Sequence, residues 1–326
     1  MSKAAMQLQG HFRLLLTGTP VQNHLSEIWN LFSFATPGLL SSHTQFTQQF
    51  ITPIERDGDN DARRQLKRML QPFILRRTKN DVLSELPQKT EITIEVELSP
   101  SERALYESYR QTAVLNLEEG SSNAIKALAE LTRLRQLACN AALVLPPEEA
   151  KDIPSSKMEA FVRLAEQLME SGHRALVFSQ FTSHLALVRK TLDERGIQYV
   201  YLDGSTTTTM RDRLVKEFQQ GEAPLFLISL KAGGTGLNLT AADYVIHLDP
   251  WWNPAIEDQA SDRAYRIGQD KPVTVYRLIA TGTIEEKIIA LHQTKKSLAD
   301  ALLEGSDVAT ALDRDEILKL IRGDEA

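Results

Sequence analysis

The chain contains a single cysteine, Cys139, among its 326 residues. One cysteine excludes an internal disulfide framework and any zinc site built from several cysteines, and it favours a reducing compartment. No apolar run reaches the ~18 residues that a membrane-spanning helix requires. The first residues, from Met1 to Gln7, also lack the long apolar segment of a secretory signal. These absences indicate a globular protein of a reducing interior.

A nucleotide-binding loop is missing as well. No Gly-Lys pair occurs in the sequence, so it contains no G-x-x-x-x-G-K-[ST] phosphate loop, and the dinucleotide pattern G-x-G-x-x-G is absent. The glycine-rich turn after Lys231 (Gly233, Gly234 and Gly236) still allows a close backbone approach to an anion. It is predicted to hold a nucleic-acid phosphate, and it does not suit the β- and γ-phosphates of a nucleotide.

Excess positive charge is absent, since the net charge is −6. Residues 300–326 contain eight acids and three bases, a local charge of −5, so residues 1–299 sum to only −1. Within this nearly neutral part, residues 62–79 carry seven bases and no acid. Such a stretch can contact phosphates. A solvated helix face is the alternative interpretation.

What is present is a regular alternation of apolar strands and helices. Strands are predicted at 175–178, 199–202, 225–228, 244–247 and 273–278, with amphipathic helices between them. Continuous apolar strands at this spacing indicate a parallel α/β sheet covered by helices on both faces. The last helix is predicted to begin at a Thr283–Glu286 capping box.

The first half of the chain has a different pattern. Phe12–Leu16 is predicted to be a buried strand that ends at the turn Thr17-Gly18-Thr19, and an amphipathic helix follows from Leu25. One strand does not make a sheet, so this pair is interpreted as the end of a domain whose front part is missing. Residues 46–155 are mostly helical, with a strong helix start at Ser99-Pro100.

Ligands of open parallel sheets bind beyond the carboxyl ends of the strands. Polar turns follow the predicted strands there, and each alone is equally typical of an ordinary turn. Together they predict one binding surface. The turns are Thr17-Gly18-Thr19, Ser179-Gln180-Phe181, Asp203-Gly204-Ser205, the glycine-rich stretch from Ser229 to Gly236, and Asp249-Pro250-Trp251-Trp252-Asn253-Pro254.

Two arginines stand out on a predicted helix from Gln259 to Gln269. Arg263 and Arg266 are three residues apart, so both guanidinium groups should leave one helix face. Planar, multidentate donors of this kind suit phosphate oxygens. Two surface arginines in exposed ion pairs are the alternative.

The segment from Gln259 to Gln269 resembles the last helicase motif of the Swi/Snf family of superfamily-two DNA translocases, in the pattern Q-x-x-D-R-x-x-R-I-G-Q. Further segments resemble the family's other motifs in the family's order, and the resemblance extends from Lys3 to about Arg322. These segments are Leu14–Asn23, Phe73–Lys79, Val177–Phe181, Ser229–Asn238 and Asp249–Pro254. The compact insertion is more similar to bacterial members than to eukaryotic remodelers.

The resemblance implies a domain organisation. Residues 1–45 would be the end of a truncated first RecA-like lobe, 46–155 a helical insertion, 156–300 the second RecA-like lobe and 301–326 an acidic tail. The family's phosphate-loop lysine and magnesium-binding Asp-Glu pair are expected before residue 1. The chain alone is therefore predicted not to hydrolyse ATP. The implied location is the bacterial cytoplasm, at the nucleoid, or the nucleus of a eukaryote.

The resemblance also implies roles for individual residues. ATP with Mg²⁺ is the implied cofactor, bound mainly by the missing lobe, and double-stranded DNA is the implied partner. No metal ligand is assigned in this chain. Arg263 and Arg266 would act on the γ-phosphate, and Thr17, Gly18 and Thr19 would couple nucleotide state to lobe movement. Nucleotide contacts would come from Gln259, Gly236 and Asp262, and DNA contacts from Ser179, Gln180, Lys231, Gly233, Gly234, Thr235, Asn238 and Trp251.

Four alternatives stay open at this point. Trp251 and Trp252 could fill the core instead of contacting DNA, since each side chain is large and prolines flank the pair. The whole chain could be a standalone module that binds duplex DNA or a partner ATPase. An unrelated α/β nucleotide-binding enzyme that uses the glycine turn is the third. The acidic tail could bind a protein partner or serve only to keep the chain soluble.

Overall fold

The computed structural model describes residues 2–8, 10–17, 25–75, 77, 86–119, 124–233, 236–292, 318 and 321–322. The chain divides into two compact units. The first comprises Met1–Val82, Asn253–Ala255 and Leu291–Leu312, and the second comprises Leu83–Trp252, Ile256–Ala290 and Asp313–Ala326. None of the helices in the described residues is long and apolar enough to cross a membrane.

The first unit is helical where it is described. Its helices are α1 (Ser2–Met6), α2 (Leu25–Ala35), α3 (His43–Phe46), the wider π-type helix Thr47–Arg56, α4 (Asn60–Leu70) and the 3₁₀ turn Gln71–Phe73. Ser42 begins α3 through a capping box with Gln45. The apolar faces of α2, α3, the π-type helix and α4 meet in one core around Phe46, Phe50 and Leu66.

The strand predicted at Phe12–Leu16 is not formed. Residues 13–17 have no regular structure, and the side chains of Phe12 and Leu16 are 81% and 88% exposed. A buried strand requires neighbours for its backbone hydrogen bonds and its side chains. No other strand occurs in the described part of the first unit, so this apolar run has nothing to pair with.

The second unit is built on a six-stranded, all-parallel sheet. The strands are β1 (Lys89–Val96), β2 (Ala175–Ser179), β3 (Tyr199–Leu202), β4 (Leu225–Ser229), β5 (Tyr244–His247) and β6 (Val273–Ala280). Their order is β1-β6-β5-β2-β4-β3. One apolar cluster covers each face, one around Phe178 and Phe226 and the other around Val177 and Leu227. The predicted α/β architecture is confirmed.

Strand β1 lies inside the stretch 46–155 that the sequence analysis expected to be helical. It pairs in parallel with β6, from Lys89 opposite Val273 to Val96 opposite Ala280. Its middle part is largely exposed and contains the polar residues Glu91 and Thr93, as is common for the edge of a sheet. The second unit therefore includes segments that precede residue 156, and the division at 155 remains a proposal.

The second unit also contains α-helices in its described part. They are α5 (Pro100–Glu119), α6 (Ala124–Cys139), α7 (Pro147–Ala150), α8 (Ser156–Glu170), α9 (Thr182–Glu194), α10 (Thr208–Gln220), α11 (Leu230–Gly233), α12 (Pro254–Ser261) and α13 (284–292). Ser99 and Glu102 form the predicted capping box of α5. At α13, Glu286 accepts a hydrogen bond from the amide of Gly282, and the amide of Glu285 donates to the Thr283 hydroxyl.

The described part of the acidic tail packs against α5. The side chain of Ile321 is only 1% exposed, and Arg110 donates hydrogen bonds to the carbonyl oxygens of Ile321 and Arg322 at 3.1 and 2.9 Å. Arg322 in turn pairs with Glu118. A plain solubilising end would not bury an isoleucine, so this part of the tail belongs to the second unit.

Candidate functional site

Strands β5, β2 and β4 are neighbours in the middle of the sheet. Because they are parallel, the segments that follow their carboxyl ends lie at one edge. These segments contain Asp249–Trp252, Ser179–Phe181 and the stretch from Lys231. The turn after β3 (Asp203-Gly204-Ser205) lies at this edge too, so the sheet brings together four of the five predicted polar turns. The three turns in the middle of the sheet form the candidate site.

Asp249 links two of these segments. The hydroxyl of Ser179 and the backbone amide of Gln180 both donate to its carboxylate, the latter at 3.1 Å. Burial alone would raise the pKa of Asp249, but neighbouring His184, the Ser179 hydroxyl and the charge of Arg135 hold that pKa below its usual value. Asp249 is therefore a buried anion that fixes the loop after β2 to the loop after β5.

Ser179 is placed differently from the prediction of a direct DNA contact. Its side chain is 1% exposed, and its hydroxyl is used by Asp249 and by the amide of Phe181. Ser179 is the last residue of β2 and its side chain points into the protein interior. It therefore supports the loop after β2 instead of facing a ligand. Gln180 is half-buried, and its side-chain Nε2 has no hydrogen-bond partner among the described residues.

Trp251 is half-buried and packs against the apolar cluster around Phe178. Its backbone amide donates to Glu257 at 2.7 Å, and Glu257 also accepts a hydrogen bond from Arg277 at 2.8 Å. Burial raises the pKa of Glu257 to about 7, against the opposing effects of Arg277 and the Trp251 amide. The tryptophan thus has both a part that packs against the core and a part that is exposed.

The segment after β4 supplies exposed polar side chains. Lys231 and Asn238 are both exposed. Gly233 is buried at the end of α11, and a Cβ atom there would lie 2.9 Å from the ring of Phe178. Its lack of a side chain therefore serves packing against Phe178, and the predicted contact with a phosphate stays a prediction. Gly234 and Thr235 lie outside the described residues.

Arg263 and Arg266 do not lie on a helix face. Helix α12 ends at Ser261, and a series of turns follows, in which the amide of Ala264 donates to the carbonyl of Ser261 and that of Gln269 to the carbonyl of Arg266. The helical spacing argument was therefore wrong. The two arginines still interact across these turns: burial, and then the positive charge of Arg266, lower the pKa of Arg263.

Arg266 lies against the glycine-rich turn. Its side chain is exposed, and Nη1 donates to the carbonyl oxygens of Gly236 and Leu237 at 3.4 and 3.3 Å. Gly236 has φ +60, a conformation that favours glycine, and a Cβ atom added there would have no atom of a non-adjacent residue within 4 Å. The backbone amide of Leu239 also donates to the carbonyl of Arg263. The structure thus places Arg266 at the sheet edge lined by this turn.

The other predicted residues are less informative. Gln259 and Asp262 are half-buried near the end of α12, and both make interactions there. Thr17 is exposed in the first unit and has a partner too. Gly18 and Thr19 lie outside the described residues.

A group of possible metal ligands lies beneath the loop after β5. Ligand atoms of Cys139, His184 and Asp249 are all buried and within 4.8 Å of one another. The Asp249 carboxylate is already hydrogen-bonded, while burial strongly raises the pKa of the Cys139 thiol, which disfavours the thiolate a metal needs. The charges of Lys157 and Arg135 lower the pKa of Cys139, but the effect of burial is larger and the pKa stays well above its usual value. The donor set does not suit a metal.

Two supporting residues, Arg135 and Glu257, escaped the sequence analysis. Arg135 is buried on α6 between the buried apolar residues Leu131, Leu134 and Ala138. A charged residue within an apolar helical stripe was the available signal. Glu257 offered none, since the burial of its carboxylate depends on Arg277, which is distant in sequence.

Comparison with known proteins agrees with this geometry. The SNF2-related domain matches residues 1–143, and the helicase conserved C-terminal domain matches residues 156–268. The Sulfolobus solfataricus SWI2/SNF2 ATPase C-terminal domain is 30% identical, with a TM-score of 0.55, over 65% of this chain and 88% of that one. The chain belongs to the SNF2 family.

Longer members of the SNF2 family align with almost the whole chain. It is 39% identical over 98% of its length to YwqA of Bacillus subtilis, named as an ATP-dependent helicase/translocase, and covers 35% of that protein. The human SWI/SNF-related matrix-associated actin-dependent regulator of chromatin subfamily A member 1 is 36% identical over 99% of the chain, which covers 32% of it. The chain thus spans about one third of these relatives.

A DNA complex is among the structures similar to this chain. The Sulfolobus solfataricus SWI2/SNF2 ATPase core in complex with dsDNA is 35% identical, with a TM-score of 0.58, over 93% of this chain and 65% of that one. The likeness supports the RecA-like fold of the sheet in the second unit.

Proposed function

We propose that this chain is the C-terminal part of an ATP-dependent double-stranded DNA translocase of the Swi/Snf type. The observation that carries the proposal is the contact between Arg266 and the backbone of Gly236 at the edge of the central strands. An exposed arginine held at that edge by the glycine turn suits an anionic phosphate supplied from outside this chain.

In this proposal Arg263 and Arg266 stabilise charge on the γ-phosphate of ATP. Hydrolysis of bound ATP with Mg²⁺ would supply the free energy for movement along DNA. The residues of this chain could bind only part of the ATP and Mg²⁺, because the sequence has no Gly-Lys pair to form a phosphate loop. The main ligands would come from an N-terminal ATP-binding lobe, so the chain alone would hydrolyse no ATP. Gln259, Asp262 and Gly236 would supply further contacts to the nucleotide.

The DNA contacts would lie along the same edge. Lys231 and Asn238 are exposed and suit backbone phosphates, and we retain Gln180, Gly234, Thr235 and Trp251 as contacts. Ser179 and Gly233 would shape the surface from beneath it. Thr17, Gly18 and Thr19 would couple the nucleotide state to movement of the lobes. By this proposal the protein acts in the bacterial cytoplasm, at the nucleoid, or in a eukaryotic nucleus.

The decisive experiment joins this chain to its N-terminal lobe and compares Arg266→Ala with the parent protein. An arginine acting on the γ-phosphate contributes ~10³–10⁵ in rate, so DNA-stimulated ATP hydrolysis should be lost while DNA binding is nearly unchanged. Arg195→Ala, which removes an exposed arginine paired with Glu166, is the control. Equal turnover by Arg266→Ala and the parent would refute the role.

A second experiment uses the 326-residue chain by itself. We expect no ATP hydrolysis from a clean preparation, with or without duplex DNA. Robust turnover would show that the chain holds magnesium triphosphate unaided. The alternative is a binding module without catalytic activity. It would be favoured if the longer protein binds DNA in a salt-dependent way and with the same affinity in the presence and absence of nucleotide.

A further inference from the structure

Arg135 connects the helical hairpin α5–α6 to the candidate site. Its side chain is buried, with the residue 4% exposed, and Nη2 donates to the carbonyl oxygen of Pro250 at 2.7 Å. The guanidinium carbon also lies 5.6, 5.4 and 5.0 Å from the ring centroids of Phe181, Trp251 and Trp252. One cation is thus surrounded by three aromatic rings and a carbonyl.

These rings come from two different loops. Phe181 follows β2, and the two tryptophans follow β5. Asp249 already joins the same loops through Ser179 and Gln180. Arg135 is therefore a second link between them, and it comes from a helix that precedes the predicted second lobe in sequence.

Burial of this guanidinium is unfavourable unless its partners compensate for the lost water. Pro250 and the charge of Asp249 provide part of that compensation, but Nε of Arg135 has no hydrogen-bond partner among the described residues. Leucine would continue the apolar stripe of α6 without this cost. An arginine at this position therefore indicates a role other than packing of the core.

We propose that Arg135 is a positioning residue that locks the loop after β2 and the loop after β5 into one rigid DNA-contact surface. The DNA part of this inference rests on the proposed function. The mechanism is direct: the planar group stacks on rings from both loops while it anchors the carbonyl of Pro250. Gln180 and Trp251 are the residues whose positions depend on it.

The first measurement is the affinity of the 326-residue chain for a 30-base-pair duplex by fluorescence anisotropy. Arg135→Met keeps an unbranched apolar side chain and removes the charge and the donors, and we expect about tenfold weaker binding. Arg135→Lys keeps the charge without the planar group, and we expect about threefold weaker binding. Arg133→Met, an exposed position on the same helix, removes an equal charge and should leave the affinity unchanged.

A stability control separates positioning from general loss of stability. Leu168→Ala removes buried apolar contacts on α8, away from both loops. At a temperature where every variant is folded, it should bind the duplex like the parent chain. If Leu168→Ala weakens binding as much as Arg135→Met, Arg135 acts only through stability and the proposal is wrong.

Hydrogen exchange of backbone amides gives a readout that does not depend on DNA. The amides of Gln180 and Trp251 donate to Asp249 and Glu257, so we expect both to exchange about tenfold faster in Arg135→Met. The amides of β4 (Leu225–Ser229) should keep their rates. Unchanged exchange in the two loops of the folded variant would overturn the positioning role.

The two readouts together separate this inference from the proposed function. Faster loop exchange with weaker DNA binding supports both. Faster exchange in a chain whose parent form binds no duplex supports the positioning role and contradicts the proposed function. Faster exchange with unchanged DNA affinity shows that the loops' rigidity does not serve DNA binding. If Arg135→Met does not fold, Arg135→Lys takes its place, and parent-like affinity and exchange would then overturn the inference.

Discussion

Lys157 Nζ lies 2.6 Å from Glu285 Oε1, and both side chains are 1% exposed. Helix α8 thereby binds the first turn of α13 in the core of the second unit. Burial would lower the pKa of Lys157, but the charge of Glu285 raises it; burial raises the pKa of Glu285 in spite of Lys157. The amide of Ala280 is a further donor to this carboxylate, at 2.9 Å.

We predict that Lys157→Met alone lowers the free energy of unfolding by about 3–5 kcal/mol, because it leaves a buried carboxylate without its cation. The loss should increase as pH rises, since the folded chain then holds a proton on Glu285 that the unfolded chain releases. The double variant Lys157→Met/Glu285→Gln keeps an acceptor for Ala280 and should recover most of the loss. Urea unfolding measures all three chains. A double variant no more stable than the single one would contradict this account.

His247 provides a prediction about acid. It is buried, stacks on Phe178 with a centroid separation of 5.5 Å, and has Nε2 3.0 Å from the Ser261 hydroxyl oxygen. Burial, and then the charge of Arg277, lower the pKa of His247 from 6.5 to about 3. Between these values the unfolded chain binds a proton that the folded chain does not. Stability therefore decreases as pH falls through this window.

The test compares His247→Asn with the parent chain in urea at several pH values between 4 and 8. The parent should lose stability faster than the variant below pH about 6.5, with a difference in slope of up to about 1.4 kcal/mol per pH unit. Above that pH the difference in free energy of unfolding should be constant. A constant difference over the entire range would mean that folded His247 keeps its ordinary pKa.

The sheet could be predicted well because its inner strands are continuous apolar runs. Strands β2 and β4 are buried throughout, as is typical of the inner strands of a parallel sheet. Strand β1 escaped because an edge strand carries polar residues, such as Glu91 and Thr93, on its open side. The strand prediction for Phe12–Leu16 was wrong for the opposite reason. This segment is apolar, but an apolar composition does not provide the neighbouring strands that a strand requires.

The site was predictable by location and less so by role. Polar residues after parallel strands predicted that Gln180 and Lys231 would share one edge of the sheet, and the structure places them there. Whether such a residue faces outward depends on contacts distant in sequence, so the burial of Ser179 by Asp249 had no local signal. The end of α12 at Ser261 likewise results from turns and not from a helix-breaking residue at that point.

Lys231 tests the DNA surface directly. It is exposed beside the glycine-rich turn, and a lysine that contacts a backbone phosphate contributes about one unit to the salt dependence of binding. We predict that Lys231→Gln weakens duplex binding equally for unrelated sequences and lowers the slope of log K against log salt by about 1. Lys190→Gln, an exposed lysine on α9, should change neither quantity. Equal slopes for Lys231→Gln and the parent would place Lys231 away from the DNA.

Gly233 and Gly236 are predicted to respond differently to the same substitution. A Cβ atom at Gly233 would lie 2.9 Å from Cε1 of Phe178, a ring stacked on His247 inside the core. Gly233→Ala should therefore cost about 1–3 kcal/mol of stability through overpacking. Gly236 has φ +60 and nothing within 4 Å of the added atom, so Gly236→Ala should cost about 1 kcal/mol through backbone strain alone.

The two variants should rank in the opposite order when ATP hydrolysis is measured instead of stability. Gly236 accepts from Arg266 through its carbonyl oxygen, so a strained backbone there displaces the arginine that we assign to the γ-phosphate. With the N-terminal lobe present, Gly236→Ala should reduce DNA-stimulated ATP hydrolysis more than Gly233→Ala, although it is the milder change in urea unfolding. The comparison is made at a temperature where both variants are folded. If activity instead follows stability, with Gly233→Ala the less active variant, the turn has no role beyond packing, and the contact between Arg266 and Gly236 loses its functional meaning.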